Sequence, residues 1–222
     1  AGAGYVRLAT PGASDFASLG AHEYLEGVGV CLIEWADRVA GALRSACDDL
    51  LAVANAVEAH SWLPGVRVVG DVRPRLGPLG GLHAALAHAR GAIVVVAWDM
   101  PFVPDELVRL LRAEGERTGD DTGGLPPEAV VPRHGDGIAE PLCAFYALSC
   151  LAPIERALDR GERQCGAFHG EVRVRWLNEE EWPAGRDGMP AFTSINSAGE
   201  LSRMRALVAG AGPLGAPAPE RS

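Results

Sequence analysis

Three polar residues each close an apolar, strand-like run: Asn55 after LLAVA, Asp71 after VRVVG and Asp99 after AIVVVAW. In open α/β sheets ligands gather outside the carboxyl ends of parallel strands, so polar residues closing three consecutive units converge on one edge. Their types limit the chemistry. Asp99 offers a hard oxygen donor to Mg²⁺, an ion that takes one or two carboxylates and leaves its other positions to water and substrate phosphates. Because it ends the most apolar strand, Asp99 is expected to be the only carboxylate on that edge able to anchor the ion. A plainer reading stands beside each, because Asn and Asp also favour the turns that follow strands. The segment GPLGGLHAAL places Gly77, Gly80 and Gly81 at a strand-to-helix turn. Backbone amides at a helix N-terminus can face an anion there, although the same glycines could simply form the turn and admit close packing.

All 20 basic residues are arginine, which removes every mechanism that needs a lysine, from a Schiff base to a Walker-type phosphate contact. The net charge is −9 and the pI about 5.1; no basic face is offered to a nucleic acid, and a small molecule is the expected partner. The five cysteines form no CxxC pair and are odd in number, so they read as reduced core thiols rather than a zinc site or a disulfide framework. His83 and His88 stand five apart on one expected helix, a poor spacing for a shared metal. The longest apolar run, Ala92 to Trp98, falls far short of the ~20 residues that span a bilayer. Nothing at the start resembles a signal peptide, so a cytoplasmic protein without membrane contact is expected.

The elements that must position these residues alternate from Val39 onward between apolar runs and helical periods, the pattern of βαβ units. A doubly wound α/β domain with a mostly parallel sheet is therefore expected. A chain of 222 residues that is 48% hydrophobic and 22% charged has the composition of one compact domain. Helices are expected over RVAGALRSACDD, GLHAALAHAR, DELVRLLRAEG, CLAPIERALDRG and SAGELSRMRALVAG. Strands are expected over LLAVAN, VRVVG, AIVVVAW, AVVPR, PLCAFYAL and VRVRWL. Residues 117–127 read as a Gly/Asp/Thr/Pro loop, and residues 209–222 as a disordered tail. Residues 1–38 lack this order, apart from a short helix and an expected strand from Val28 to Ile33.

The order of AN (Ala54, Asn55), Asp71 to Gly81, DMPF (Asp99 to Phe102), EPLCAFY, DRGER and FTSIN before a GEL helix resembles the molybdenum cofactor guanylyltransferase family over about Val39 to Val208. The resemblance implies a nucleotidyltransferase domain of the nucleotide-diphospho-sugar-transferase type. It would move GMP from GTP to molybdopterin cofactor and release pyrophosphate. It implies nucleotide contacts at Asn55, Asp71, Gly77, Gly81 and Asp99, with Asp99 also the magnesium ligand and catalytic anchor. Asn196, with Ser194 in place of the family's first asparagine, would face the pterin, and Arg163 is a further phosphate candidate. Transient contact with other cofactor-biosynthesis proteins would be in keeping with this role.

One part of the family pattern is missing. Members open on a strand that runs into Leu-Ala-Gly-Gly and a loop ending in lysine, which cradles the triphosphate. Here the corresponding residues are CLIEWADRV, with no glycine between Gly29 and Gly41. Leu19 to Val39 instead resembles the C-terminal part of the P-loop ATPase that assists tRNA threonylcarbamoyladenosine formation. The chain thus reads as a mosaic joined near Arg38, by gene fusion with deletion or by an error of assembly. Three functions follow from this: a guanylyltransferase impaired at the phosphates or a related cytidylyltransferase, a nucleotide- or pterin-binding remnant without turnover, and an accessory module of the ATPase kind. Val28 to Ile33 is expected to fill the sheet position of the family's first strand.

Overall fold

A computed structural model of the chain describes residues 39–61, 63–117 and 124–195. The expected strand Val28 to Ile33, the last helix with Asn196, the tail and most of the 117–127 loop lie outside those residues. Helix α1 covers residues 39–44 and ends in a turn where the Ser45 hydroxyl donates to the Ala42 carbonyl at 2.7 Å. The expected helix over RVAGALRSACDD thus ends earlier than its apolar period suggested, before Ser45. Then follow β1 (Leu51–Val53), β2 (Arg67–Val69), α2 (Gly77–His88), β3 (Ile93–Val96), α3 (Asp105–Glu116), β4 (Ala129–Arg133), β5 (Cys143–Tyr146), α4 (Leu151–Asp159) and β6 (Val174–Asn178).

β1 and β2 pair in parallel, and a four-stranded sheet runs in the order β3-β5-β4-β6. Within it β4 and β6 are parallel, whereas β5 is antiparallel to both β3 and β4. The sheet is therefore mixed at one strand. Its cause is local: residues 134–142 join β4 to β5 by a short hairpin, and a connection that short can only reverse the chain. The reversal brings the start of β5 to the edge where β3, β4 and β6 end.

Alternation along the strands sorts the core into two layers. Val94, Val96, Val130 and Phe145 pack with α1 and α3, while Ile93, Val95, Val131 and Tyr146 pack with α2 and α4. All four residues of β3 are buried, as a strand covered by helices on both faces requires. Helix α2 packs against both β1 and β3, which sets the two-stranded sheet on the β3 side of the molecule. Helix α3 carries Asp105 and Glu106 in its first turn, where the helix dipole favours negative charge. Cys143, Cys150 and Cys165 are buried free thiols and Cys47 a half-buried one, as read from the sequence. Among the described residues no helix is long and apolar enough to cross a membrane.

Candidate active site

The carboxyl edge collects polar residues from every unit of the fold. Asn55 and Asp71, sixteen residues apart in sequence, hold each other. The Asn55 amide donates to the Asp71 carboxylate at 2.9 Å, and the Asp71 backbone N–H donates to the Asn55 carbonyl oxygen at 2.9 Å. The pair closes the ends of β1 and β2 and faces solvent, with Asn55 exposed.

The next turn is built differently from its expected form. Helix α2 starts at Gly77 rather than Gly81, with a proline in its first turn, a residue whose fixed φ and missing N–H suit that place. Gly77 has φ +62°, a left-handed conformation that a side chain would strain. Gly80 and Gly81 are buried inside the helix. The Leu79 amide already donates to the Arg163 carbonyl at 3.2 Å and the Gly80 amide to the Leu76 carbonyl at 3.3 Å. The expected anion seat of backbone amides is smaller than the sequence implied, because Pro78 has no N–H to offer. Arg163 does reach this turn: its Cβ lies 3.7 Å from where a Gly77 Cβ would stand.

Asp99 lies three residues beyond β3, half-buried in a turn whose Met100 amide donates to the Ala97 carbonyl. Burial raises its carboxyl above the ordinary range, opposed by its own backbone N–H and by the Ser194 hydroxyl, both of which donate to it. The Ile195 amide donates to the Asp99 carbonyl at 2.9 Å and ties the two segments together. Ser194 is thus turned toward Asp99. Asn196 lies outside the described residues.

Asp99 is not alone. Glu140, three residues before the reversed strand β5, stands on the same edge, and burial raises its carboxyl too, while His134 counteracts and the Asp99 charge adds to the rise. The expectation of a single carboxylate there is corrected by the hairpin that reverses the chain. The His134 ring and the Glu140 carboxylate meet at 2.9 Å. Beyond them Trp182 and Phe192 pack edge-to-face with the His134 ring, each at 5.4 Å between centroids. These four residues carried no role in the sequence reading. His134 follows β4 as Asp99 follows β3, and EPLCAFY begins at Glu140, so two of them had a positional signal.

A cation would suit this place. Two carboxylates partly withdrawn from water favour a positive ion that replaces the lost solvation, and their hard oxygens match Mg²⁺. His83 is buried against Glu155 on α4, at 3.4 Å, and His88 turns back to the Ala84 carbonyl. Neither contact involves the edge residues, and no set of three or more metal-binding side chains occurs among the described residues.

Comparison with known proteins places the chain. Residues 31–173 match the MobA-like NTP transferase domain, a span that begins inside the segment read as foreign. A probable molybdenum cofactor guanylyltransferase of Pelotomaculum thermopropionicum is 36% identical over 77% of this chain and 78% of its own length. The molybdenum cofactor guanylyltransferase of Desulfosudis oleivorans is 31% identical over 78% and 81%. Among solved structures, molybdopterin-guanine dinucleotide biosynthesis protein A from Archaeoglobus fulgidus superposes with a TM-score of 0.65 at 28% identity, covering 81% of this chain and 86% of that one. By this extent of likeness in sequence and fold, the chain belongs to the molybdenum cofactor guanylyltransferase family.

Proposed function

We propose that the protein transfers GMP from GTP to molybdopterin cofactor, in the cytoplasm, with a weakened grip on the triphosphate. The observation that carries this reading is the position of Asp99. It lies between the Asn55–Asp71 pair on one side and the half-buried Glu140–His134 pair on the other, so one edge offers a base end, a reacting centre and an acceptor end. An oxygen of the acceptor's phosphate would attack the α-phosphorus of GTP in line. A new P–O bond then forms as the bond to the β-phosphate breaks and pyrophosphate leaves.

The chain's own contribution is positioning and electrostatics. Asn55 and Asp71 would hold the guanine end, with Gly77 shaping the turn beneath the ribose and Gly81, inside α2, allowing the helix to pack closely behind it. Ser194 and Asn196 would address the acceptor. Asp99 would hold Mg²⁺, which supplies neutralisation of the triphosphate and of the charge that develops on the leaving group. What this chain lacks, relative to its family, is a glycine-rich loop before α1 and its lysine; no lysine occurs anywhere in the sequence. Loss of even one preorganised donor costs about 10²-fold in rate, so turnover is expected to be slow and GTP binding weak. Incubation with GTP, Mg²⁺ and molybdopterin tests the reading: dinucleotide and pyrophosphate are expected in equal amounts, and no product at any enzyme concentration would reduce the protein to a binding remnant. A submicromolar dissociation constant for GTP would contradict the weakened phosphate grip.

A further inference from the structure

Alternation along β6 decides which of its side chains share a face. Leu177 packs in the α3 layer, whereas Val174 and Trp176 pack in the layer of α2 and α4. Arg175, and Arg173 one step before the strand, therefore fall on the α3 face. Arg117 follows the last residue of α3 directly. Three guanidiniums from two elements thus meet where β4 and β6 begin, at the end of the sheet opposite Asp99. With Glu114, Leu125 and Pro126 they line a cleft of about 390 Å³, within the ~300–1,000 Å³ range of small-molecule sites.

Each guanidinium is held from behind. Arg117 Nη1 donates to the Glu114 carboxylate at 3.0 Å. Arg173 Nη1 stands 3.1 Å from Glu128, and its Nε donates to the Pro126 carbonyl at 3.1 Å. Arg175 reaches Glu114 at 3.6 Å and also Glu181. Three arginines thus meet three glutamates, and the charges balance in number but not in depth. The Glu114 and Glu128 side chains are 16% and 18% exposed, those of Arg117 and Arg173 63% and 49%. An anion arriving from solvent meets guanidinium first, and the nearer charge has the larger effect. The glutamates also fix the arginine rotamers in advance, which lowers the entropy lost on binding. Arg117 keeps Nε and Nη2, and Arg173 keeps Nη2, without a partner among the described residues.

Donors that arrive from two elements call for an acceptor with oxygens in more than one plane. A carboxylate has two oxygens in a single plane and is filled by one guanidinium fork, whereas a phosphate monoester offers three around a tetrahedral centre. Leu125, 73% exposed, walls the cleft together with Pro126, and a bare ion would leave that apolar surface in water. The ligand that covers both features has an anionic head and a small apolar body. A polyanion is disfavoured by the chain's net charge of −9. We propose that the cleft between Arg117, Arg173 and Leu125 binds the phosphate of a small organic phosphate monoester, at a site separate from the reacting edge. The assignment stands independently of the transfer reading above.

Titration calorimetry of the full chain with phenyl phosphate, inorganic phosphate and benzoate tests the assignment. The wild type should bind phenyl phosphate about 10-fold more tightly than either of the others. Arg117→Ala and Arg173→Lys should each weaken phenyl phosphate about 10-fold, the second because lysine keeps the charge but not the fork. Leu125→Ser should bring phenyl phosphate down to the affinity of inorganic phosphate. Glu114 retains Arg175 in the first variant and Glu128 retains a cation in the second, so an unchanged Tm and an unchanged GTP dissociation constant are expected in all three. Phenyl phosphate affinity unaltered in both arginine variants would overturn the assignment, as would benzoate bound as tightly as phenyl phosphate. Inorganic phosphate bound as tightly as phenyl phosphate would overturn the organic body and leave a site for the free ion.

Discussion

The two ends of the carboxyl edge solve the same problem in opposite ways. On the β1–β2 side, Asn55 and Asp71 face water and satisfy each other through two hydrogen bonds, so their geometry is set before any ligand arrives and little is spent on desolvation. From the end of β3 to the β4–β5 hairpin, Asp99 and Glu140 are partly withdrawn from water, and burial holds both carboxyls above the ordinary range. The first arrangement can recognise a neutral hydrogen-bonding edge. The second carries charge that a cation would relieve, so it suits the reacting centre. Position on a strand end is common to both; solvation is what divides their tasks.

The comparison can be broken most strongly at the wall of the enclosed side. A Cβ at Gly185 would come within 2.0 Å of the Met189 carbonyl oxygen and 2.5 Å of the Ala191 amide nitrogen, and both are backbone atoms that cannot turn aside. Gly185→Ala is expected to cost about 3 kcal/mol in chemical denaturation and to loosen the packing of Trp182 and Phe192 on His134, while the Asn55–Asp71 pair keeps its contacts. A smaller effect is expected on the open side. Asp71→Ala removes the acceptor of the Asn55 amide and should lower stability by about 1 kcal/mol, weakening GTP in titration calorimetry without changing pterin affinity.

The smallest effect has the opposite sign. The folded-state pKa of Asp99 is raised, so between its unfolded and folded values the native chain binds more protons and stability falls as pH rises through that window. The ionised carboxylate therefore burdens the metal-free fold at neutral pH. Asp99→Asn should raise the Tm by about 2 °C at pH 7, with the gain fading as pH falls below the carboxylate range. A Tm difference independent of pH would show that solvation does not divide the two sides.

How much of this was legible follows from the same physics. Asn55, Asp71 and Asp99 could be found because each ends an apolar run, and β3 declared itself by four successive apolar residues that the structure buries completely. The free thiols at Cys47, Cys143, Cys150 and Cys165 were likewise readable from the sequence. Glu140 was hidden because it precedes its strand; only the reversal of β5 brings it to the edge, and the hairpin residues HGDG were not read as a reversing turn. Trp182 and Phe192 sit in an irregular segment without period, where an aromatic residue carries no signal of what it will face. The early start of α2 was missed because glycines read as a turn, whereas Gly77 supplies the left-handed residue and Gly80 and Gly81 continue as helix.

The account's central claim is that Asp99 makes this edge a metal-dependent nucleotide site, and the most direct measurement is the GTP dissociation constant with and without Mg²⁺ for the wild type and Asp99→Asn. The wild type should bind GTP weakly and about 10-fold or more tightly with Mg²⁺ than without it, and the variant should show no dependence on the ion. An Mg²⁺ dependence of equal size in both proteins would contradict it.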